Sequence, residues 1–487
     1  MKLSRRSALK WAALAGGAAS LAGCERIARS VSRAPLPDRI ALPEGPVDPL
    51  VRLIDRTGFG PTPGQVARVK LMGPAMYIEE QLRGDLSEEP HLEFALNRLD
   101  VNRVHSAELE DVPEELALEQ LQRAALLRAV YSRNQLKERL ADFWTNHFNI
   151  YARKARGVYS KPDDERRVVR DHALGWFSDM LRESATSPAM IEYLDNQQNR
   201  SGVPNENYAR ELLELHTLGV DGGYTYQDIK ELARCLTGWT VETRFLRPRG
   251  RIRFDPDLHD DGPKRLLGQS IPTGGGERDL DRVLHILSRH PSTAKFICRK
   301  LCRLFLGDDA PRAYDVAVTA FTASNGPKRA GDIRSAVRAI LASGLDESRP
   351  ILKRPFDWVA SALRALRADT DCDRSILEHI DSMGQPLYEW PMPDGYPDDT
   401  VSWTGSMLPR WSFALALGSN ELPRTQLDLK ALAAAHGGDS ASAIAATVLS
   451  RRADDEPVKA IVRAASDPEN LGLVAALALA SPEFQWR

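Results

Sequence analysis

Apolar residues recur every three to four positions along most of the chain, which is the spacing of a helix with one buried face. The period is clear in segments at residues 134–151, 163–185, 279–306 and 424–487. Near residues 250–256 the period changes, because Ile252 and Phe254 alternate with arginines, and this predicts a short strand or hairpin. The pattern predicts a mainly α fold, with one large multi-helix domain over residues 48–487 and a minor β-hairpin.

A long Pro/Trp-rich loop interrupts the helical pattern at residues 384–411. Aromatic side chains in such a loop suit a platform for a sugar or a peptide, and they suit packing over the helical core equally well. Both interpretations stay open at this point.

The densest group of ionisable and amide side chains lies in residues 195–239. Asn205 is expected to begin a helix there and Gly219 to end it, since Asn caps free N–H groups and Gly tolerates a left-handed turn. Thr225 and Asp228 have the spacing of a capping box, which predicts a second helix reaching about residue 238.

The first of these helices has two different faces. Tyr208, Leu212 and Leu215 share one face, with His216 beside them. The opposite face carries charged residues: Glu206, Arg210 and Glu214. We therefore expect one cluster of charged residues, with Glu206, Arg210 and Glu211 projecting into a cleft, and a histidine that faces away from it.

Several blocks of sequence resemble one known family. The central run PNENYARELLELHTLGV and the following GGYTYQDIKELARCLTGW carry the resemblance, together with FWTNHF, AMIEYLDNQQN, HPSTAKFICRKL and LASPEFQWR. In this order they resemble the domain of unknown function 1800 family, from about residue 51 to the last residue. The resemblance implies a largely helical extracytoplasmic fold and no established reaction. It also implies a sulfatase-like partner, because members are often encoded beside a sulfatase-like family.

The N-terminal sequence predicts export and attachment to a membrane. Arg5 and Arg6 precede a short apolar run, and the sequence Leu-Ala-Gly before Cys24 resembles a lipobox. We expect residues 1–24 to be a twin-arginine lipoprotein signal and residues 25–47, with four prolines, to be a flexible tether. Lipidation at Cys24 would attach the protein to a membrane at its periplasmic face, with the outer membrane preferred, after export by the twin-arginine machinery. The alternative is a chance arginine pair before an apolar helix.

Composition narrows the function classes. The 487 residues carry a formal charge of −2, and hydrophobic and charged residues make up 43% and 27% of the chain, as in ordinary soluble globular proteins. Without a basic excess there is no electrostatic case for nucleic-acid binding. No P-loop, GxSxG or HExxH motif is present.

Carboxylates supply the first candidate chemistry, because acid and base catalysis needs groups whose surroundings separate their pKa values. The candidate catalytic residues are Asp195, Glu206, Arg210, Glu211, His259, Asp260 and Lys264. Asn146, His147, Asn196 and Asn205 are further candidates from the family-like blocks. The structural alternative is that these side chains form ordinary ion pairs, since Glu206, Arg210 and Glu214 are four residues apart.

A divalent metal is a second hypothesis, and no other cofactor is indicated. Oxygen and imidazole ligands such as Glu211, His216, His259 and Asp260 would suit Mn, Fe or Zn, although no pair has diagnostic spacing. Two functions remain: a hydrolase or lyase acting on a glycan or another envelope polymer, and a non-enzymatic envelope binding or assembly protein with a structural polar core. A deep cleft lined by Glu211, His259 and Asp260 would favour the first.

Overall fold

A computed structural model describes residues 48–242, 250–307 and 310–487. The signal segment, Cys24 and the tether lie outside the described residues, so the expected address of the protein stays a prediction.

The expected mainly α fold is confirmed: 61% of the protein is helical, with 25 helices and only small antiparallel strand pairs among the described residues. The α-helices, numbered in chain order, are α1 (Pro49–Thr57), α2 (Gln65–Met72), α3 (Pro74–Arg83), α4 (Pro90–Asn97), α5 (Asp100–Arg103), α6 (Ser106–Leu109), α7 (Glu114–Tyr131), α8 (Gln135–His147), α9 (Gly157–Asp164), α10 (Phe177–Ala185), α11 (Pro188–Tyr193), α12 (Asn207–Glu211), α13 (Tyr226–Cys235), α14 (Arg278–Arg289), α15 (Pro291–Leu306), α16 (Pro311–Ala323), α17 (Ile333–Ser343), α18 (Pro355–Ala365), α19 (Arg374–Ser382), α20 (Met407–Gly418), α21 (Leu429–Ala434), α22 (Ser440–Leu449), α23 (Glu456–Ala464), α24 (Leu471–Ala480) and α25 (Pro482–Gln485).

The strands form three short antiparallel pairs. The expected hairpin is present, because β1 (Trp239–Val241) pairs with β2 (Ile252–Phe254) in the register Trp239 to Phe254. Two further pairs carried no recognisable alternation: β3 (Lys264–Leu266) with β4 (Gln269–Ile271), and β5 (Asp369–Thr370) with β6 (Thr425–Gln426). Strands of two or three residues are too short for a period of two to stand out from the sequence.

Two hydrophobic cores share the interior. One is built from side chains of residues 53–82, 136–150 and 168–341, and the other from Phe59 and residues 92–158 and 356–484. Between them runs a seam of buried charges, in which Arg139 Nη1 lies 2.6 Å from Asp357 Oδ1 and both side chains are 1% exposed. The Phe59 ring lies 4.1 Å from the Arg139 guanidinium carbon. The single-domain arrangement stays a prediction, and this seam is where its two cores meet.

No helix in the described part of the chain has the length and apolar composition needed to cross a membrane. The four cysteines beyond Cys24 are buried: Cys235, Cys298, Cys302 and Cys372.

Candidate functional site

The central helix is shorter and wider than its sequence period suggests. It begins at Asn207 rather than Asn205, and after Glu211 it continues as a π-helical turn over Leu212–Thr217. The wider turn is visible in the backbone, where Leu218 N donates to Leu213 O at 2.9 Å. Such π turns are rare and frequently occur at functional sites.

The charged face of this helix is partly exposed and carries the ion pairs of the structural alternative. Arg210 lies between Glu206 and Glu214, with N···O distances of 3.7 Å and 3.5 Å, and its side chain is 41% exposed. Tyr226 donates its hydroxyl to Glu206 at 3.1 Å. These are surface ion pairs, and solvent screening makes their contribution to stability small.

His216 lies on the opposite side, fully buried, among the rings of Phe148, His147 and Tyr208. Neither ring nitrogen has a hydrogen-bond partner among the described residues. Burial and, to a smaller extent, the charge of Lys300 lower the pKa of His216 to about 3, so the ring is neutral. The expectation that His216 faces away from the acids is confirmed.

The amide-rich turn before the helix is a structural clamp. Asn196 donates to the carbonyl oxygens of Leu236 and Trp239 at 3.1 Å, and it accepts from Asn199 at the same distance. Asn205 donates its side-chain amide to the Asp195 carbonyl at 3.2 Å. These bonds tie the turn to the end of α13.

Asp195 itself has a left-handed backbone, with φ 59°, and its carboxylate accepts from Lys154 Nζ at 2.8 Å. Both side chains are about one-third exposed. Asp195 therefore sits in a half-exposed ion pair at the edge of the clamp.

In the loop that carries them, the side chains of His259, Asp260 and Lys264 are already bonded to neighbouring elements. Asp260 accepts from Arg234 Nε at 2.8 Å and from Nη2 at 3.1 Å. Lys264 Nζ lies 2.7 Å from Asp279 Oδ2, and both side chains are fully buried. His259 donates Nδ1–H to the Thr237 carbonyl at 2.8 Å, which leaves Nε2 3.5 Å from Asp279.

The turn, the helix and this loop do meet, since Ser201 N donates to Leu258 O at 2.8 Å. Their functional groups do not converge on an open cleft, because the loop's charges are already paired. For this part of the chain, the paired and buried charges therefore favour a structural role.

The proposed metal ligands are also not brought together. Within the described ranges there is no group of three or more His, Cys, Asp or Glu side chains that could hold a metal ion. Asp260 is taken by Arg234, His259 by Thr237, and His216 lies in an aromatic cage. The expectation that Glu211, His216, His259 and Asp260 share one ion does not match this geometry.

Instead, the two candidates from the FWTNHF block, Asn146 and His147, face a different set of groups at the end of α8. Lys300 of α15 places Nζ 3.2 Å from His147 Nδ1, and His147 Nε2 lies 3.2 Å from the His216 carbonyl. A carbonyl only accepts, so Nε2 carries the proton and Nδ1 accepts from the lysine.

Both groups of this pair have shifted pKa values. Burial lowers the pKa of His147 well below its usual range, and the charge of Lys300 adds to this. Burial also lowers the pKa of Lys300, while Asp398 and Asp394 oppose the shift through their charges. The result is a neutral imidazole hydrogen-bonded to an amine that gives up its proton more readily than usual.

An acid with the opposite tendency, Asp142, also belongs to α8. Arg354 bridges Asp142 and Asp357, donating to a carboxylate oxygen of each. Burial raises the pKa of Asp142, and the charge of Asp357 raises it further although Arg354 opposes the rise. Burial would raise the pKa of Asp357 too, but Arg139 and Arg354 hold it low. Within the seam, the pKa of Asp142 is therefore raised and the pKa of the neighbouring Asp357 is lowered.

Asp142, Lys300, Arg354 and Asp357 line one cavity of about 370 Å³. His147 lies beside this cavity, because it contacts Lys300. Asp142 and Asn146 from α8, Lys300 and Arg303 from α15, and Arg354 form part of its wall. The Pro/Trp-rich loop closes the other side with three polar residues and one ring: Asp398, Asp399, Thr400 and Trp403. This volume exceeds that of a few water molecules and suits part of a small ligand or one residue of a polymer.

Asn146 holds this loop in place. Its amide nitrogen donates to Tyr396 O at 2.9 Å and its amide oxygen accepts from Tyr396 N at 2.7 Å. The neighbouring Gly395 has φ 77°, and a Cβ there would lie 2.3 Å from Asn146 O. Only glycine allows so close an approach. Tyr396 and Trp403 pack with Leu352 in a small core of their own, so these two rings take the packing role and not the platform role.

Glu211 belongs to this side of the molecule. Burial raises the pKa of Glu211, and the carboxylates of Glu214 and Asp394 raise it further. The positive charge of Arg210 acts in the opposite direction. Because Asp394 also acts on Lys300, the loop connects the central helix electrostatically with the cavity. Glu211 thus shares the charged neighbour Asp394 with Lys300, but it does not line the cavity.

Sequence reasoning missed Lys300, Asp142 and Arg354. One signal was available for Lys300, since Phe296, Lys300 and Leu304 recur every four residues and place a lysine on an apolar stripe. No local pattern marks Asp142, because its partner Arg354 lies 212 residues away in the chain.

Comparison with known proteins gives one match. The family model described as "Protein of unknown function (DUF1800)" matches residues 52–486, nearly the whole chain. No curated protein and no solved structure matches. The model covers both cores, the central helix and the cavity, so the chain belongs to the DUF1800 family.

Proposed function

We propose that the protein is an extracytoplasmic, lipid-anchored enzyme, a hydrolase or lyase that acts on a glycan or another envelope polymer in the cavity beside His147. One observation carries the proposal: an acid with a raised pKa, Asp142, and an amine with a lowered pKa, Lys300, line the same cavity. Groups shifted in opposite directions within one cleft are typical of acid and base pairs.

The roles follow from protonation. The neutral fraction of Lys300, hydrogen-bonded to His147, is the base and removes a proton from water in hydrolysis or from carbon in elimination. Asp142, whose pKa is raised by burial, is the acid of the proposal, and its protonated form gives a proton to the leaving oxygen of the polymer. Arg303 and Arg354 would balance negative charge on the substrate.

The anchoring part of the proposal is supported by sequence alone. Cys24 and the arginine pair lie outside the described residues, and they motivate a lipid anchor at the periplasmic face. An envelope polymer is the substrate that such an address makes accessible.

Product analysis tests the reaction. Purified full-length protein is incubated with isolated envelope glycan fractions, and the products are analysed by mass spectrometry. New chain ends that have gained the elements of water identify a hydrolase, and unsaturated non-reducing ends, one water lighter than the hydrolysis product, identify a lyase. An absence of cleavage in every fraction would overturn the enzyme proposal.

A second candidate, a binding or assembly protein, is favoured by one surface. Leu408, Trp411 and Leu415 of α20 are 71%, 49% and 52% exposed and stand on one face of the helix. Such an apolar stripe is typical of a protein contact. A sulfatase-like neighbour protein is the partner to test: Trp411→Ser should abolish its co-purification if assembly is the function, and leave polymer cleavage intact if it is not.

A further inference from the structure

A second cavity, of about 500 Å³, lies on the other side of the charged seam. It opens between α1, α18, the end of α22 and the C-terminal segment. It shares only Pro350 and Arg487 with the cavity beside His147. Neither the proposed reaction nor the family assigns it a role.

Positive charge dominates its wall. Six cationic residues line it, against the two acids Asp55 and Glu483: Arg52, Arg56, Arg349, Lys353, Arg451 and Arg487. Arg56 and Lys353 are buried, and a buried positive charge is unfavourable unless an anion compensates it. The wall therefore has a charge pattern complementary to an anion.

Two of these guanidinium groups have donors without acceptors. Arg56 is 1% exposed and donates Nη2 to the Arg349 carbonyl, but its Nε and Nη1 are buried with no partner in the described part of the chain. Arg487 donates Nη2 to the Leu304 carbonyl at 3.3 Å, and its Nε and Nη1 are likewise unpartnered. Buried N–H groups are seldom left without an acceptor, because each one costs desolvation energy.

Lys353 completes the set. It is 4% exposed, and its Nζ lies 3.9 Å from the centre of the Phe484 ring and in no ion pair with any described residue. Burial lowers the pKa of Lys353 to about 8, with Asp55 opposing the shift. An anion placed beside this amine would reverse the shift.

Part of the remaining wall is apolar, with side chains from Val51, Val448, Leu449 and Phe484. We propose that this cavity binds an organic phosphate, whose phosphate group accepts from Arg56, Lys353 and Arg487 and whose apolar part lies against Phe484. Two forked guanidinium groups and one ammonium match a phosphate dianion with several acceptor oxygens. The site goes beyond the proposed enzyme and does not depend on it.

Isothermal titration calorimetry on the full-length protein tests this site with three probes: inorganic phosphate, phenyl phosphate and benzoate. Phenyl phosphate should bind at least tenfold more tightly than either of the others, since it alone offers both the dianion and the apolar group. Tighter binding of benzoate would overturn the phosphate assignment, and an absence of phenyl phosphate binding would overturn the site.

Lys353→Met is the matched variant, because it keeps the side chain's length and removes its charge. It should weaken phenyl phosphate binding at least tenfold, whereas Arg463→Gln, which removes an exposed charge paired with Glu456, should leave binding unchanged. Equal weakening by both variants would mean a general charge effect and overturn the site.

A pH series on the unmodified protein gives an answer even if Lys353→Met does not fold. The charged groups acting on Lys353 are Asp55, Asp357, Arg410 and Arg487. A phosphate monoester is already a dianion above pH 7, so the titrating partner above this pH is the lysine. Affinity should fall about tenfold or more between pH 7 and pH 9.5, and a constant affinity would contradict the role of Lys353.

Discussion

Replacing His216 with Leu tests the buried, neutral imidazole on which the site rests. The unfolded ring has an ordinary pKa of 6.5, and burial lowers the pKa in the folded protein to about 3. Below pH 6.5 the unfolded chain therefore binds a proton that the folded protein does not, so stability falls as pH falls. Between pH 7 and pH 4 this one ring removes about 3 kcal/mol from the free energy of unfolding.

The assay is urea unfolding of wild type and His216→Leu at a series of pH values from 7 to 4. The variant should lose about 3 kcal/mol less than wild type over this range, because leucine does not titrate. At pH 7 it should fold normally, since the described structure gives neither ring nitrogen a hydrogen bond to lose. His105→Gln is the control, because the His105 side chain is 82% exposed. Identical pH profiles for His216→Leu and wild type would refute the neutral, buried ring.

Three further predictions concern other parts of the chain. Asp357→Asn leaves Arg139 buried without its counterion and should cost about 3 to 5 kcal/mol in urea unfolding; a loss below about 1 kcal/mol would contradict the buried pair. Lys264→Met removes the buried partner of Asp279 and leaves it with the half-exposed Arg282, which should cost at least about 1 kcal/mol, whereas Glu211→Gln should change stability by less than about 0.5 kcal/mol; a larger loss in Glu211→Gln than in Lys264→Met would contradict this assignment. Cys24→Ala should move the protein from the membrane to the soluble periplasmic fraction, and continued membrane association on fractionation would count against the lipid anchor.

Local features of the fold could be predicted from sequence. Thr225 and Asp228 are three residues apart, and the capping box they form is present, with Asp228 accepting from Thr225 N at 2.8 Å. The position of His216 on the apolar face followed from the helical period alone. Such features depend on neighbours within one or two turns, so the sequence contains all the information they need.

The site could be predicted only in part, because its geometry depends on distant contacts. His147 was a candidate, but its partner Lys300 is 153 residues away, and no spacing rule connects them. The opposite error occurred at Asp260, where a conspicuous acid beside a histidine is neutralised by Arg234 from α13. The π turn after Glu211 was also missed, since its sequence fits an ordinary helix.

The rate of polymer cleavage by Lys300→Met and Asp142→Asn tests the proposed acid and base most directly. Each variant is compared with wild type and with Arg463→Gln on the same envelope glycan fraction, after its melting temperature confirms a folded protein. We predict that each of the two variants cleaves at least about a hundredfold more slowly than wild type, as loss of an acid or base requires, while Arg463→Gln keeps the wild-type rate. Folded Lys300→Met or Asp142→Asn protein with wild-type cleavage would contradict it.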